Sequence, residues 1–311
     1  MPKFSIRKVQ QLTGHNGAIY ALAPGPEPRT FLSAGGDGWV VQWSLAEKDE
    51  QGELLGRLVA KVDTQVFSLA YIPTTHTVVA GDMNGGVHWL NLREDRPNRH
   101  IAHHKKGTFG LQIVGEELIS IGGSGMLTKW DILRQASIES LHLSSQALRS
   151  LVHVPGTNTI FFGSSDHSIF KLSVDSLEVQ EKVAASHENS VFALHNHPLH
   201  PGTLYSGGRD AQLKKWSIGE SLTLENAQPA HWYTINHLIA DPSGDYLLSA
   251  SRDKTIRIWD STEFKLLMTL DAARDGGHVN SVNRLMWIEG TSFFVSASDD
   301  RSLILWELTA S

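Results

Sequence analysis

The sequence has no cysteine, no long hydrophobic run and no excess of positive charge. Without cysteine the chain can form neither disulfides nor thiolate metal sites. No apolar segment is long enough to cross a bilayer, and Met1–Gln10 alternates and carries charge, unlike a signal peptide. The formal net charge is −6, so a broad basic surface for nucleic acid or acidic membranes is not expected. These absences favour a cytoplasmic protein that binds no membrane and for which nucleic acid is an unlikely partner.

What the sequence does contain is typical of an all-β protein. Short apolar runs alternate with turn residues, and the chain has 27 glycines and 9 tryptophans. Its 311 residues exceed the usual size of one domain, although closed all-β folds reach this length as a single unit. We therefore predict one all-β domain over residues 1–311.

A short motif recurs along the whole chain. The segment Asp253-Lys-Thr-Ile-Arg-Ile-Trp259 has three close copies and three weaker ones, and neighbouring copies end 40 to 47 residues apart. A fixed period of this length indicates a repeat architecture. The seven repeat units end near positions 43, 90, 130, 172, 216, 259 and 306.

In this segment's repeat and its three close copies, a histidine, a serine, an aspartate and a tryptophan occupy matching positions. These four sets are His15, Ser33, Asp37 and Trp43; His187, Ser206, Asp210 and Trp216; His231, Ser249, Asp253 and Trp259; and His278, Ser296, Asp300 and Trp306.

The repeats resemble those of WD-repeat proteins, whose signature runs from Gly-His to Trp-Asp. Gly14-His15 and Gly277-His278 match its beginning, and Trp130-Asp131 and Trp259-Asp260 match its end. The resemblance implies a closed seven-bladed β-propeller with four antiparallel strands per blade, in which the N-terminal strand completes the last blade. It also implies that the four sets are buried networks that brace the blades. We predict no catalytic residue, because a catalytic triad needs an exposed nucleophile and an oxyanion hole.

One other pattern could bind a ligand. His195, His197 and His200 place three imidazoles within six residues and could hold a transition metal. No carboxylate is spaced to complete a familiar metal triad, and the run matches a loop position of the next repeat. We therefore predict a solvated turn there, with no metal and no cofactor in the protein.

The resemblance also implies a face on which partners dock, formed by the Gly-His loops and the turns before the repeated aspartate. Aromatic residues, methionine and arginine, which are enriched at protein interfaces, are frequent at these positions. Arginine also pairs with carboxylates and phosphates. We predict a non-catalytic scaffold, a monomer or a subunit of a larger complex, that binds a protein or peptide partner with an acidic or phosphorylated element. The predicted binding residues are Tyr20, Phe67, Met83, Phe109, Arg149, Phe192, Arg209, Trp232, Asn236, Arg252, Asn283 and Asp299.

Three alternatives remain at this point. The chain could be a propeller enzyme, similar to a hydrolase or lactonase, with a metal held in the central channel by acids and histidines from several blades. It could instead bind nucleic acid through Arg149, Arg209 and Arg252, although the acidic net charge weakens this interpretation. The aromatic residues could also line the channel mouth and pack on one another without touching a partner.

Overall fold

The computed structural model describes residues 4–93 and 96–310. These residues form seven four-stranded antiparallel sheets, the blades, arranged in chain order. The first strand, β1, covers Phe4–Leu12. Blade 1 contains β2 (Ile19–Pro24), β3 (Thr30–Gly35), β4 (Trp39–Lys48) and β5 (Leu54–Lys61). Blade 2 contains β6 (Val66–Ile72), β7 (Thr77–Asp82), β8 (Gly86–Asn91) and β9 (Arg99–Ala102). Blade 3 contains β10 (Thr108–Val114), β11 (Glu117–Gly122), β12 (Met126–Asp131) and β13 (Ala136–His142).

The remaining blades repeat this order. Blade 4 contains β14 (Leu148–His153), β15 (Thr159–Ser164), β16 (Ile169–Ser173) and β17 (Val179–Val183). Blade 5 contains β18 (Val191–Asn196), β19 (Thr203–Gly208), β20 (Gln212–Ile218) and β21 (Leu222–Pro229). Blade 6 contains β22 (Ile235–Ala240), β23 (Tyr246–Ser251), β24 (Ile256–Asp260) and β25 (Leu266–Leu270). A four-residue helix, α1 (Ala272–Asp275), leads to blade 7, which contains β26 (Val282–Trp287), β27 (Phe293–Ser298) and β28 (Leu303–Ala310).

The N-terminal strand completes the last blade. β1 pairs antiparallel with β28, from Phe4 opposite Ala310 to Leu12 opposite Leu303, and so becomes the outer strand of blade 7. The side chains of Arg7 and Glu307 form an ion pair across this junction. The predicted seven-bladed ring with four antiparallel strands per blade, closed by the N-terminal strand, is confirmed.

The hydrophobic core lies between the blades. Seven buried clusters occur, and each draws its side chains from two neighbouring blades. One of them packs Phe31 and Trp43 of blade 1 against Val295 and Leu305 of blade 7, so the ring is closed by packing as well as by strand pairing. Burying a large apolar side chain contributes about 1.5–3 kcal/mol, which explains why the blades stack.

Burial within a blade falls from the inner strands to the outer strand. All six residues of β3 are buried, whereas most of the outer strand β21 is exposed. The second strand of a blade has neighbouring blades on both of its faces. Its sequence is therefore mostly apolar and lacks the alternation of a strand with one exposed face. None of the described residues forms a helix that is long and apolar enough to span a membrane.

Candidate binding site at the channel mouth

Blade 6 contains a closed hydrogen-bonded network built from one of the predicted sets. His231 Nδ1 lies 2.8 Å from Asp253 Oδ2, and His231 Nε2 lies 2.7 Å from Ser249 Oγ. The indole of Trp259 donates to the same serine oxygen over 2.9 Å. The structure brings the other three sets together in the same way, around Ser33, Ser206 and Ser296.

The electrostatics of this network favour a neutral histidine beside an ionised aspartate. Burial lowers the pKa of His231, although Asp253 acts in the opposite direction. Burial would raise the pKa of Asp253, but hydrogen bonds from His231, from Thr255 and from the backbone outweigh it and hold that pKa well below its usual range. Ser249 is fully buried, so a substrate cannot reach its hydroxyl while the blade is closed. The arrangement braces the blade and offers no accessible nucleophile.

Blades 3 and 4 lack complete networks. In blade 3, His104 Nε2 lies 2.7 Å from Ser120 Oγ, but Ser124 occupies the position of the aspartate. His104 Nδ1 is consequently buried with no hydrogen-bond partner among the described residues, and burial lowers the pKa of His104 to about 3. In blade 4, Phe162 and Leu172 replace the serine and the tryptophan and pack in the core instead.

A β-bulge lies at the same place in the innermost strand of every blade. The extra residue is excluded from the strand pairing, which locally re-aims its side chain. The seven bulged residues are Tyr20, Phe67, Phe109, Arg149, Phe192, Asn236 and Asn283. All seven were predicted as binding residues, and together with Arg284 they line one open depression of about 260 Å³ at the mouth of the central channel.

An aromatic arc occupies one side of this depression; it consists of Tyr20, Phe67, Phe109, Arg149 and Phe192. The Tyr20 and Phe67 rings meet edge to face at 5.4 Å, and Phe67 lies 5.6 Å from Phe109. The Arg149 guanidinium lies 4.4 Å from the centroid of Phe109 and 5.3 Å from that of Phe192. The side chains therefore do pack on one another, yet each is only partly buried and keeps a surface open to the depression.

Two asparagines complete the rim and tie neighbouring blades together. The Asn236 amide donates to the Val282 carbonyl oxygen over 2.9 Å. The Asn283 amide donates to the Ile19 carbonyl oxygen over 3.0 Å and to Asp299 Oδ1 over 2.8 Å. These amides hold the mouth in shape, because each donates to a carbonyl oxygen of the next blade and Asn283 also donates to Asp299 within blade 7.

Arg284 is the important residue of the depression that the sequence interpretation missed. It follows the bulged residue Asn283, at a position where five of the other blades have a small residue and blade 6 has His237. Its guanidinium makes no hydrogen bond or ion pair with any residue that the structure describes. Burial lowers the pKa of Arg284 to about 10, so the side chain is still a cation at neutral pH. Comparing the repeats one residue further along would have revealed this large side chain.

Two partly buried histidines, His195 and His237, lie near Arg284. Burial and the charge of Arg284 hold the pKa of His237 well below its usual range, and burial, helped by His197, lowers the pKa of His195 to about 4. Both imidazoles are therefore neutral at pH 7, so Arg284 is the charged side chain among these three. The prediction of a solvated turn is wrong for His195, which lies in β18, and for His197, which is buried; only His200 is exposed. His197 Nδ1 accepts backbone N–H groups of Leu199 and His200, so it stabilises the turn itself.

The other five predicted binding residues surround the depression rather than line it. The backbone N–H of each turn residue donates to the carbonyl two positions before a bulged residue, which places the turn beside the mouth. Trp232 is 83% exposed and Met83 is 41% exposed. Tyr233, which the sequence interpretation missed, adds a second exposed aromatic ring next to Trp232. The four predicted turn residues are Met83, Arg209, Arg252 and Asp299, all exposed.

The mouth carries positive charge on Arg149, Arg209 and Arg284, and Asp299 adds one carboxylate beside Asn283. Burial and the charge of the nearby Arg209 lower the pKa of Arg149. Arg149 Nε donates to Ser165 Oγ over 3.0 Å, and the rest of its guanidinium makes no other hydrogen bond with the described residues. The depression thus combines aromatic surface with cations that can receive an anion.

Comparisons with known proteins agree with this fold. A family model for the WD domain, G-beta repeat, matches residues 6–44, 223–260 and 264–307. Protein tipD of Dictyostelium discoideum is 24% identical over 300 residues, which cover 95% of this chain and 48% of that protein. Guanine nucleotide-binding protein subunit beta-1 of Nicotiana tabacum is 21% identical over 299 residues, covering 93% of this chain and 68% of that protein.

A solved structure is also similar. The WD40 beta propeller domain of Doa1 superposes with a TM-score of 0.82 at 17% identity, and the match covers 97% of each chain. The chain spans about half the length of protein tipD and of the nuclear distribution protein nudF 1 of Talaromyces marneffei, of which it covers 48% and 45%. The ring of blades and the structural match together show a seven-bladed β-propeller fold, and three segments of the chain match the WD-repeat family model.

Proposed function

We propose that the chain is a non-catalytic scaffold that binds a protein or peptide partner at the channel mouth. In this proposal the partner places a carboxylate or phosphate over Arg284 and an apolar side chain against the aromatic arc. The observation that carries the proposal is the Arg284 guanidinium, which lies in the depression without an acidic partner among the described residues.

The need of Arg284 for a counter-charge supports an anionic ligand. Arg284 is only partly exposed and has no ion pair among the described residues, which costs free energy because the cation has lost part of its hydration and gained no counter-charge. His195 and His237 are neutral and cannot supply the missing negative charge. An incoming carboxylate or phosphate can accept two parallel hydrogen bonds from a guanidinium. The same charge repels a metal cation and so disfavours a propeller enzyme with a metal in the channel.

The aromatic arc supports an apolar group next to that anion. Aromatic and arginine side chains dominate the binding energy of many interfaces. Here Arg149 is already stacked between Phe109 and Phe192, so little side-chain entropy would be lost when a ligand packs against them.

The size of the depression favours a macromolecular partner. Its volume of about 260 Å³ is below the roughly 300–1,000 Å³ of typical small-molecule sites. It can therefore accept one or two side chains, while the exposed Trp232, Tyr233 and Met83 extend the contact surface around it. One relative is named a subunit of a guanine nucleotide-binding protein, so a similar propeller serves there as part of an assembly.

A peptide library tests the proposal. Each peptide carries phosphoserine, phosphotyrosine, glutamate or serine at its centre and random residues on both sides. We expect the wild-type chain to select an anionic centre with an apolar or aromatic neighbour. Arg284→Gln should lose the preference for the anion, and Phe109→Ala should lose the preference for the neighbour.

Arg134→Gln is the matched control, because Arg134 is an exposed arginine in the turn between β12 and β13, away from the mouth. It should select the same peptides as the wild-type chain. Selection of no peptide, or selection of the same peptides by Arg284→Gln, would overturn the proposal.

A further inference from the structure

Blade 2 has no His-Ser-Asp-Trp network, and three other side chains meet in it. Asp82, His88 and His100 each offer one ligand atom, and these atoms all lie within 4.8 Å of one another. His88 Nε2 is 2.7 Å from Asp82 Oδ2. The His88 and His100 rings stack with their centroids 4.4 Å apart and their planes 23° from parallel.

The strand register explains why these side chains share one place. Asp82 ends β7, His88 lies in β8, and His100 lies in the outer strand β9. His88 and His100 are directly opposite each other in the pairing of β8 with β9, so their side chains emerge on the same face. Ala80 lies opposite His88 in the pairing of β7 with β8, so Asp82, two residues further along β7, emerges on that same face.

The tryptophan of blade 2 occurs one residue earlier than in the complete blades. Trp89 consequently packs on the blade 3 side, with Trp130 and Leu118, and its indole N–H has no partner among the described residues. Ala80 occupies the position of the network serine and offers no hydroxyl. The polar residues of this blade are therefore not engaged in bracing it as they are in blade 6.

A glycine keeps the space between the ligand atoms open. A Cβ atom added to Gly86 would stand 2.5 Å from Asp82 Oδ2 and 2.6 Å from His100 Nε2. The backbone of Gly86 is not in the left-handed region, unlike that of Gly85, whose φ is +97°. The requirement for glycine at position 86 thus comes from space beside the ligand atoms rather than from backbone conformation.

The Asp82 carboxylate is also held in place by backbone hydrogen bonds. Asp82 Oδ1 accepts the backbone N–H groups of Asn84 and Gly86, both over 2.8 Å, which leaves Oδ2 to face the two imidazoles. Outer hydrogen bonds of this kind orient the ligands of protein metal sites. Asp82 is buried, His88 is partly exposed and His100 is exposed, so the group opens to solvent on one side.

We propose that Asp82 Oδ2, His88 Nε2 and His100 Nε2 bind a divalent transition-metal ion of the Zn²⁺ class. Two imidazoles and one carboxylate are ligands that Zn²⁺ accepts at about 2.0–2.2 Å, with a fourth position left for water. Binding replaces the hydrogen bond between His88 and Asp82: the Nε2 proton of His88 moves to Nδ1, and the two ligand atoms separate to make room for the ion. No electron transfer or further reactant is involved.

The test is a Zn²⁺ titration of the whole chain against a competing chromophoric chelator, followed by the visible spectrum of Co²⁺ in the same site. We expect about one ion per chain and a Co²⁺ spectrum of low coordination number. His100→Gln should weaken binding about 10-fold or more, because the loss of even an outer-shell partner weakens metal sites by 10- to 100-fold. Gly86→Ala should weaken it too, since its methyl group fills the open space.

His142→Gln provides the matched control, because His142 is an exposed histidine in the outer strand of blade 3. It should bind Zn²⁺ like the wild-type chain. His100 is itself exposed, so its variant is expected to fold, and circular dichroism checks this. Absence of stoichiometric binding by the wild-type chain, or equal binding by folded His100→Gln, would overturn the proposal.

Discussion

Blade 6 and the channel mouth both withdraw polar side chains from water, but the network of blade 6 and Arg284 at the mouth differ in whether the side chains have partners. Within blade 6, His231 bonds to Asp253 and to Ser249, and Trp259 bonds to the same serine. Arg284 at the mouth bonds to none of the described residues. A satisfied buried group stabilises a fold by a modest amount, whereas an unsatisfied one costs free energy. The closed networks therefore serve folding, and the open group at the mouth is suited to a ligand.

The same difference separates blade 6 from blade 3. In blade 6 the second imidazole nitrogen of the network histidine faces Asp253, whereas in blade 3 the corresponding nitrogen of His104 faces no acceptor. Blade 3 keeps its tryptophan and serine and still folds as a four-stranded sheet. A network can thus lose its aspartate because the core on either side of the blade supplies most of the packing.

The largest effect is expected from removing the histidine of a complete network. His231→Ala should lower the free energy of unfolding by about 3–5 kcal/mol, because it leaves Asp253 buried without its partner. His104→Ala should cost less, since no carboxylate is left behind in blade 3. Urea-induced unfolding of the two variants measures both losses. Equal losses would show that the aspartate adds nothing to the network.

The acid sensitivity of the fold gives a second comparison. Burial lowers the pKa of His104 to about 3 and that of His195 to about 4, so both stay neutral in the folded chain and bind protons in the unfolded chain below about pH 6.5. Above about pH 6.5 neither histidine lowers the free energy of unfolding. Below it, each histidine lowers that free energy by about 1.4 kcal/mol per pH unit until the pH reaches the pKa of the folded chain. Unfolding free energies between pH 7 and pH 4 measure this slope.

His104→Gln separates the contribution of blade 3 from that of the other histidines. The variant should show a shallower loss of stability between pH 6.5 and pH 4, because one of the groups that bind protons on unfolding is gone. An unchanged slope would mean that His104 is protonated in the folded chain.

A smaller effect is expected from completing the network of blade 3. Ser124→Asp places a carboxylate where the other blades have one, so His104 Nδ1 gains an acceptor. We expect a gain of about 1 kcal/mol in the free energy of unfolding and a rise in the pKa of His104. Urea unfolding and an NMR titration of the imidazole check the two effects. Ser124→Asn is the control without the charge, and a carboxylate that leaves the pKa of His104 unchanged would contradict the account.

The sequence predicts the ring and the mouth better than it predicts the interior of the channel. The repeated Trp259 motif specifies the blades. The spacing from the histidine in five blades, and from the equivalent position in blades 2 and 4, locates the seven bulged residues, because the bulge recurs at a fixed place. Arg284 was missed and His195 was wrongly predicted in a solvated turn, because alternation along a strand does not reveal which side chains reach the axis of a ring. The cluster of Asp82, His88 and His100 in blade 2 was not predicted. The tryptophan of this blade is displaced by one residue, so its repeat does not align with the others.

In the proposed binding mode, Arg284 receives an anion beside an aromatic surface. Phenyl phosphate is the smallest probe that carries both groups, and isothermal titration into the wild-type chain, Arg284→Gln and Arg134→Gln measures its binding. The account predicts binding to the wild-type chain and to Arg134→Gln, and binding about 10-fold or more weaker to Arg284→Gln, since hydrogen bonds to charged groups are worth about 1.5–3 kcal/mol. Equal affinity in all three proteins, or no binding to the wild-type chain, would contradict it.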